Sequence, residues 1–497
     1  MATETEIKLL VAPERAAAID AALRRLPSSR RATLQACYFD TRDGRLARHG
    51  VALRLRRSDR TWEQTLKTAG ASPIEREEHN VARPGRWSGT EMPTLDVALH
   101  RGTPAGALLQ TALDDGDAAD AALAPVYRIS VVRRSALVAF AGAQVEIAFD
   151  LGGITAGERA ERVCELEYEL KQGDAAALVT LSQQAVRAHG ALLSVVSKAE
   201  RGDRLARGGA GAVAHKASAP RLDAAMHGGA LLQPVLRTCL THVLANASEV
   251  AAGSWDDETV HQWRVGLRRL RTAVRELGPM VEQFQPAWEP ALIAAFRALG
   301  AYRDRGTVAR SFAPRLAQAG SPAPELSTGA DGAEGDPSQV VRDPALQCAL
   351  LDAMGDVLAP PRAEASGASS PARYAAGRLN RLRRRLQRDA TTFEQLGAPA
   401  QHAVRKRLKR LRYLCELLRG LYPSGKVARF LAALEPAQEA LGQHTDLLFA
   451  IDLARARAEA DGGPAWFNLG WLSAQLPASA RRCRKALERA ASARRCW

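Results

Sequence analysis

The sequence contains no run of about 18 uncharged apolar residues, which excludes a transmembrane helix. Its opening stretch, MATETEIKLLV, carries carboxylates where a secretory leader carries basic residues, so no signal peptide is expected and the cytoplasm is the expected compartment. The seven cysteines (Cys37, Cys164, Cys239, Cys348, Cys415, Cys483 and Cys496) are scattered, odd in number and form no C-x-x-C pair. A disulfide framework and a cysteine zinc site are thereby excluded. Aromatic residues make up only 5% of the chain, which leaves little to stack on nucleic-acid bases.

What is present is charge, unevenly spread. A chain of 497 residues exceeds one ordinary core. Residues 1–204 hold 28 Lys and Arg against 27 Asp and Glu, whereas the remainder holds 41 against 27. Almost all of the net +15 therefore lies in the second part, which points to a polyanionic partner there. Punctuation supports the same division. Residues 205–220 are small and Gly-rich and read as a flexible linker; 317–345 are rich in Pro, Gly and acid and read as a disordered insert; 359–372 read as a further loop.

The first part alternates apolar and charged residues at period two in TEIKLLV, VALRLRR and CELEYELK. Glu4, Glu6 and Lys8 share one strand face, as do Arg54 and Arg56, and Glu165, Glu167 and Glu169. A solvated sheet face would account for such charges singly; closing the sheet into a barrel would gather both signs in one interior. The acids available are Glu4, Glu6, Asp150, Glu165, Glu167 and Glu169; the bases are Lys8, Arg54, Arg56, Lys67, Arg133 or Arg134, Lys198 and Arg201. Carboxylates suit magnesium or manganese, and guanidinium forks suit phosphate, so together they fit metal-assisted chemistry on a triphosphate.

From residue 221 the apolar spacing becomes helical, as in LLQPVLRTCLTHVL. The segment HQWRVGLRRLRTAVRE (261–276) recurs as HAVRKRLKRLRYLCE (402–416), and LGAYRD (299–304) recurs as LGQHTD (441–446). Helical geometry sets His261, Arg264, Arg268 and Arg271 on one stripe, and His402, Arg405, Lys409 and Arg412 on another, with Lys406 beside the second. Like charges so spaced repel unless an anion bridges them. The candidate polyanions are nucleic acid, an anionic membrane surface and an inorganic polyanion; no aromatic residue lies within the basic stripe itself, so stacking on bases is poorly provided for.

In its first part the chain resembles the CYTH, or triphosphate tunnel metalloenzyme, family. The resemblance rests on E-x-E-x-K at Glu4, Glu6 and Lys8, then YFDT (38–41), LRLR (53–56), QTLK (64–67), EIAFD (146–150), CELEYEL (164–170) and SKAERG (197–202). The repeated helical segments resemble the CHAD family over about 221–490. The resemblance implies an α+β protein: an eight-stranded antiparallel tunnel β-barrel with flanking helices over 1–204, then an all-α CHAD domain of two pseudo-symmetric four-helix bundles, with copies at about 221–316 and 373–490. It implies hydrolysis of inorganic triphosphate with Mg2+ or Mn2+ held by Glu4, Glu6, Asp150, Glu165, Glu167 and Glu169. Lys8, Arg54, Arg56, Lys67, Arg133 (preferred to Arg134 by alignment), Lys198 and Arg201 would grip the substrate. Inorganic polyphosphate would bind the CHAD part, and no membrane partner is expected. A class IV adenylate cyclase, a thiamine triphosphatase and a non-catalytic polyphosphate-binding protein are the other readings. The sequence departs from the CHAD pattern at RDRG (303–306) and lacks an Arg before Asp446, so Asp304 and Asp446 are given no metal or catalytic role.

Overall fold

The structure is a computed structural model of the 497-residue chain. It describes all residues except 1, 60, 70–74, 85–90, 118–119, 210–211, 224, 227, 327–335, 364–369 and 464; the side chains of 2–4, 69, 75–76 and 301–307 are also outside the description. Two compact units emerge. One comprises Met1–His215, Val243–Trp263 and Val341–Ala359; the other comprises Lys216–His242, Arg264–Val340 and Pro360–Trp497.

The strands are β1 (Ala2–Leu10), β2 (Arg30–Thr41), β3 (Val51–Ser58), β4 (Thr61–Ala69), β5 (Glu75–Arg83), β6 (Leu123–Phe140), β7 (Ala143–Ala156), β8 (Arg159–Gln172) and β9 (Leu192–Leu193). They form a single antiparallel sheet in the order β5-β4-β3-β2-β6-β7-β8-β1-β9. The expected count of eight strands is thus corrected to nine, because the dipeptide Leu192–Leu193 adds itself against Leu9 and Leu10. The amino end of β1 also pairs with β5, at the other end of the order, with Ala2 opposite Glu78. The two halves of β1 therefore serve different neighbours: Ala2–Thr5 face β5, and Glu6–Leu10 face β8.

Helices α1 (Ala16–Arg24), α2 (Arg45–Arg48), α3 (Pro104–Leu113), α4 (Ala176–His189) and α5 (Lys198–Ala206) pack on the sheet. The apolar sheet face is buried beneath them: Ile7, Leu9, Leu53, Leu55, Leu66 and Val163 have no exposed surface. The charged face is buried as well. Glu165 is 0% exposed and Asp150 1%, which rules out a solvated sheet face. A carboxylate removed from water in this way is costly unless cations accompany it.

Beyond the sheet the elements are α6 (Gly228–Ala251), α7 (Asp257–Leu277), α8 (Glu289–Gln318), α9 (Pro337–Arg342), α10 (Pro344–Leu358), α11 (Pro371–Thr392), α12 (Ala398–Leu417), α13 (Ser424–Asp461), α14 (Ala465–Ala474) and α15 (Leu476–Ser492). In the second unit α13 packs against α12, α14 and α15, and α11 packs against α12 and α15. Phe312, Leu316, Ile451 and Leu472 share one apolar core there. No helix of the described residues is long and apolar enough to cross a membrane.

Two stretches expected to lack structure are more ordered than their composition suggests. Within 317–345, residues 327–335 lie outside the description, but α9 and the start of α10 are helical; Asp343 caps α10 by accepting from the Ala345 amide. In the 205–220 segment, the His215 backbone exchanges hydrogen bonds with the Asn246 side chain at 3.0 Å each way. The His215 ring meets the buried Glu249 carboxylate at 2.9 Å, and Arg204 pairs with the same group at 2.7 Å. One buried acid thereby holds His215 and Arg204 together. Of the loop expected at 359–372, residues 364–369 lie outside the description and α11 begins at Pro371.

Candidate functional site in the charged cavity

Antiparallel register determines which charges meet. Directly opposed residues share a face, so Arg133, Asp150 and Glu165 form one row across β6, β7 and β8. Ala148, Glu167 and Lys8 form the next, and Glu146, Glu169 and Glu6 a third. On the other wall, Tyr38 opposes Arg54 and Lys67 opposes Glu78. These rows surround a cavity of about 630 Å³ lined by Glu6, Lys8, Arg54, Arg56, Lys67, Arg133, Glu167, Glu169 and Lys198 among others.

Acids and bases are paired within it. The Arg133 guanidinium donates to both oxygens of Asp150 at 2.7 Å, a fork geometry, and to Glu167 at 2.5 Å. Lys198 Nζ reaches three carboxylates: Glu167 at 2.6 Å, Glu165 at 2.7 Å and Asp150 at 3.0 Å. Arg201 pairs with Glu165 and, at 2.6 Å, with Glu161. Across the cavity Lys67 meets Glu78 at 2.8 Å, Arg56 meets Glu63 at 2.8 Å, and Arg54 donates to the Tyr38 hydroxyl at 3.1 Å. Lys171 bridges Glu169 at 2.5 Å and Glu146 at 3.3 Å, and Lys8 lies 3.7 Å from Glu6.

This pairing sets the protonation states. Burial pushes the Glu167 carboxyl up, but Lys198, Arg133 and Lys8 outweigh it and hold the group well below the usual carboxylate range. Asp150 is lowered in the same way, burial being overcome by Lys198 and Arg133. Burial works against the Lys198 ammonium, yet Glu165, Glu167 and Asp150 hold it well above the ordinary lysine value. The Tyr38 phenol, which burial alone would raise, is lowered by Arg54, Lys67 and Lys198.

Lys198 is presented by α5, whose first turn is fixed by a capping box: Ser197 Oγ accepts from the Glu200 amide, and the Glu200 carboxylate accepts from the Ser197 amide. Gly202, on the same helix, allows close approach to the Tyr127 ring. A Cβ there would lie 2.3 Å from ring carbons. Tyr127 stacks on Tyr38 with centroids 4.7 Å apart.

Asp150, Glu165 and Arg201 do not line the cavity themselves; Asp150 and Glu165 are joined to it through Lys198, and Arg201 through Glu165. Arg133 and Arg134 separate as strand neighbours must: Arg133 faces the cavity, while Arg134 pairs with Asp20 of α1 on the outer side. The Glu4 side chain lies outside the described residues; its backbone pairs opposite Arg76. Sequence reasoning missed Tyr38, Glu78, Asn80, Glu146 and Lys171 as cavity residues. Asn80 and Glu78 do alternate in EREEHN, but charges at the intervening positions hide the strand signal.

In the second unit the two basic stripes meet. Helices α7 and α12 are joined by Arg269 to Glu416 and by Arg410 to Glu276, each at 3.7 Å. From one pair to the other the position advances on α7, from 269 to 276, and retreats on α12, from 416 to 410, so the helices run antiparallel. Arg264 and Arg268 lie over the Phe296 ring of α8, 5.5 and 5.7 Å from its centroid. Arg405, Lys409 and Arg412 lie on α12 with His402, and Lys406 is exposed beside them. Arg271 approaches Glu289 at 4.0 Å, and His261 is half-buried on α7. Asp304, in LGAYRD, has its side chain outside the described residues.

Comparison with known proteins follows the same division. A Haemophilus influenzae protein named inorganic triphosphatase is 28% identical over 207 residues, which span 41% of this chain and 54% of that protein. The chain therefore covers about half the length of that relative. An uncharacterized Mycobacterium tuberculosis protein is 28% identical over 95% of this chain and 91% of its own length. Among solved structures, the CHAD domain of the plant Ricinus communis superposes with a TM-score of 0.47 at 27% identity, covering 57% of this chain and 99% of that one. PptA from Streptomyces chartreusis gives 0.38 at 19% identity, covering 53% and 99%. Neither superposition is close enough to fix a residue correspondence. Residues 2–202 match the CYTH domain family and residues 234–455 the CHAD domain family, so the chain is a CYTH domain followed in sequence by a CHAD domain.

Proposed function

We propose that the cavity hydrolyses inorganic triphosphate to pyrophosphate and phosphate, and that the paired helices α7 and α12 bind inorganic polyphosphate. The observation that carries the first part is a cavity lined by both signs of charge, with Arg54, Arg56 and Lys67 on one wall and Glu6, Glu167 and Glu169 on the other. Fixed cations suit the phosphate oxygens, and preorganised charge is the main source of catalysis in phosphoryl transfer. Tyr38 is the one aromatic ring among the described lining residues, and its hydroxyl is engaged by Arg54, which leaves little to recognise a nucleobase or thiazole. That favours the inorganic substrate over ATP or thiamine triphosphate.

A divalent ion fits the donors present. Mg2+ commonly takes one or two protein carboxylates and completes its shell with phosphate oxygens and water. Glu6 and Glu169, on adjacent strands, would hold it in this manner, and Glu167 lies one row away. Among the described residues no three such side chains are arranged to hold a metal ion by themselves, the Asp150, Glu165 and Glu167 carboxylates being gathered on Lys198, so substrate oxygens would supply the rest of the shell. When bound, the ion would neutralise phosphate oxygens and orient the attacking water. Arg54, Arg56 and Lys67 would hold the chain from the opposite wall, and Arg133 and Lys198 would exchange a carboxylate partner for phosphate as it enters.

The test is phosphate release from triphosphate by the purified chain with Mg2+ or Mn2+, beside ATP and thiamine triphosphate. Glu6→Gln and chelator should each reduce turnover at least about 100-fold; turnover indifferent to both would overturn the mechanism. For the helical part, charge reversal at Arg268, Arg271, Lys409 and Arg412 should abolish polyphosphate binding, and full retention would refute the assigned stripe. DNA as competitor at physiological salt separates a phosphate-chain site from general polyanion affinity.

A further inference from the structure

Lys198 is delivered to the cavity by a short stretch with no regular structure of its own. β9 ends at Leu193 and α5 begins at Lys198. Buried amides between them must find acceptors outside a ladder or a helix. Leu193 N donates to Gln347 Oε1 at 2.8 Å, and Ser194 N to the Lys8 carbonyl at 3.0 Å. Val195 N donates to Ser248 Oγ at 3.0 Å, Val196 N to Ser194 Oγ at 3.3 Å, and Ser197 N to the Glu200 carboxylate at 2.7 Å.

Two of these acceptors come from far along the chain. Ser248 lies on α6 and Gln347 on α10, and both are 1% exposed. They fall within the segment matched to the CHAD family, yet they belong to the compact unit built on the sheet. Beside Ser248, the buried Glu249 takes the other end of α5. Arg204 donates to both of its oxygens, at 2.8 and 2.7 Å. Gln347 is fixed in turn, its amide nitrogen donating to the Val341 carbonyl at 2.6 Å, which leaves Oε1 to face Leu193. Gln183 of α4 seats α10 by donating to the Cys348 carbonyl at 3.2 Å and to Asp352 at 2.7 Å.

None of these three side chains lines the cavity. Their effect on it would pass through the backbone of 193–204. An ammonium that serves carboxylates at 2.6, 2.7 and 3.0 Å leaves little slack for a shift of the helix that carries it.

We propose that Ser248, Glu249 and Gln347 are positioning residues for the triphosphate site, setting the depth and rotation at which α5 presents Lys198. This rests on the reading of the cavity as a triphosphatase. Residues of the CHAD-matched segment thereby complete a site whose walls are CYTH strands. A misplacement of about 1 Å in a group that holds the reacting phosphates costs on the order of 100-fold in rate.

The experiment measures kcat/KM of the full chain on triphosphate with Mg2+, below the melting onset of every variant. Ser248→Thr and Ser248→Val share one shape and differ by a hydroxyl, so only the valine leaves the Val195 amide without its acceptor. The valine variant should turn over at least about tenfold more slowly than the threonine variant. Equal turnover in the two would overturn the proposal. If the added methyl group unfolds both, Ser248→Ala against the wild type carries the same comparison. A double-mutant cycle separates positioning from general damage: in a Lys198→Met background, loss of the Ser248 hydroxyl should cost no further turnover. A loss that persists undiminished there would make α6 a structural support and overturn the assignment; if Lys198→Met does not fold, the hydroxyl comparison decides alone. A wild type that releases no phosphate from triphosphate would instead remove the reading of the cavity on which the proposal rests.

Discussion

The cavity of the CYTH domain and the paired helices of the CHAD domain are both dense in charge, but they dispose of it in opposite ways. In the cavity, Lys198, Arg133 and Arg201 meet Asp150, Glu161, Glu165 and Glu167, so the site neutralises itself without a ligand. On α7 and α12 the same sign repeats, and burial together with the charges of Arg268, Arg405, Arg264 and Arg412 pushes the Lys409 ammonium down. A self-neutralised cluster resists a bare anion, since each phosphate oxygen must displace a carboxylate; it accepts a ligand that brings cations with it. A cluster of one sign accepts the anion directly. The ligand each can take follows from how its charges are balanced beforehand.

That contrast can be broken most severely at Lys198. Lys198→Met leaves Asp150, Glu165 and Glu167 buried with one cation fewer, and should cost about 3–5 kcal/mol in urea unfolding. It also changes the pH profile. Glu167 and Asp150 are depressed in the folded state, so their contribution is complete above the unfolded carboxylate values and is lost as pH falls through the folded ones. The wild type should lose stability progressively below about pH 4, and Lys198→Met should flatten that slope. An unchanged acid limb would mean that these carboxylates are not what the lysine supports. Next in size is Arg54→Ala, which removes a cavity cation while leaving the Lys198 network whole. Turnover of triphosphate should drop about 100-fold with little change in unfolding midpoint, and a variant that retains turnover would place the substrate elsewhere. Gly202→Ala is the mildest: the added methyl meets the Tyr127 ring and should cost about 1–3 kcal/mol, read as a lowered melting temperature.

Much of this arrangement was legible in local sequence, and the reasons are specific. β1, β3 and β8 alternate cleanly because one face meets helices and the other meets charge. β5 does not, since Glu77 and His79 interrupt its outer face, and its role at the cavity became visible only through pairing with β4 and β1. β9 is two residues long, below any periodic signal. The repeat exposed both basic stripes, but nothing local to 264–271 or 405–412 says that they face each other; the linking ion pairs join residues far apart in the chain. Composition could not show the partner of His215 in the 205–220 segment for a similar reason, because that acid lies on α6. Choosing between Arg133 and Arg134 needed only the two-residue period and one fixed neighbour.

Lys198 hangs from the first turn of a helix, while its three acids belong to two strands. Turning α5 by a single residue about its axis would swing that side chain through about 100° and release all three acids together. The site then opens as one event rather than acid by acid, with Ser197 and Glu200 acting as the latch. Hydrogen exchange should accordingly show a common opening rate for the amides of the first turn of α5, faster once Glu200→Ala unfastens it.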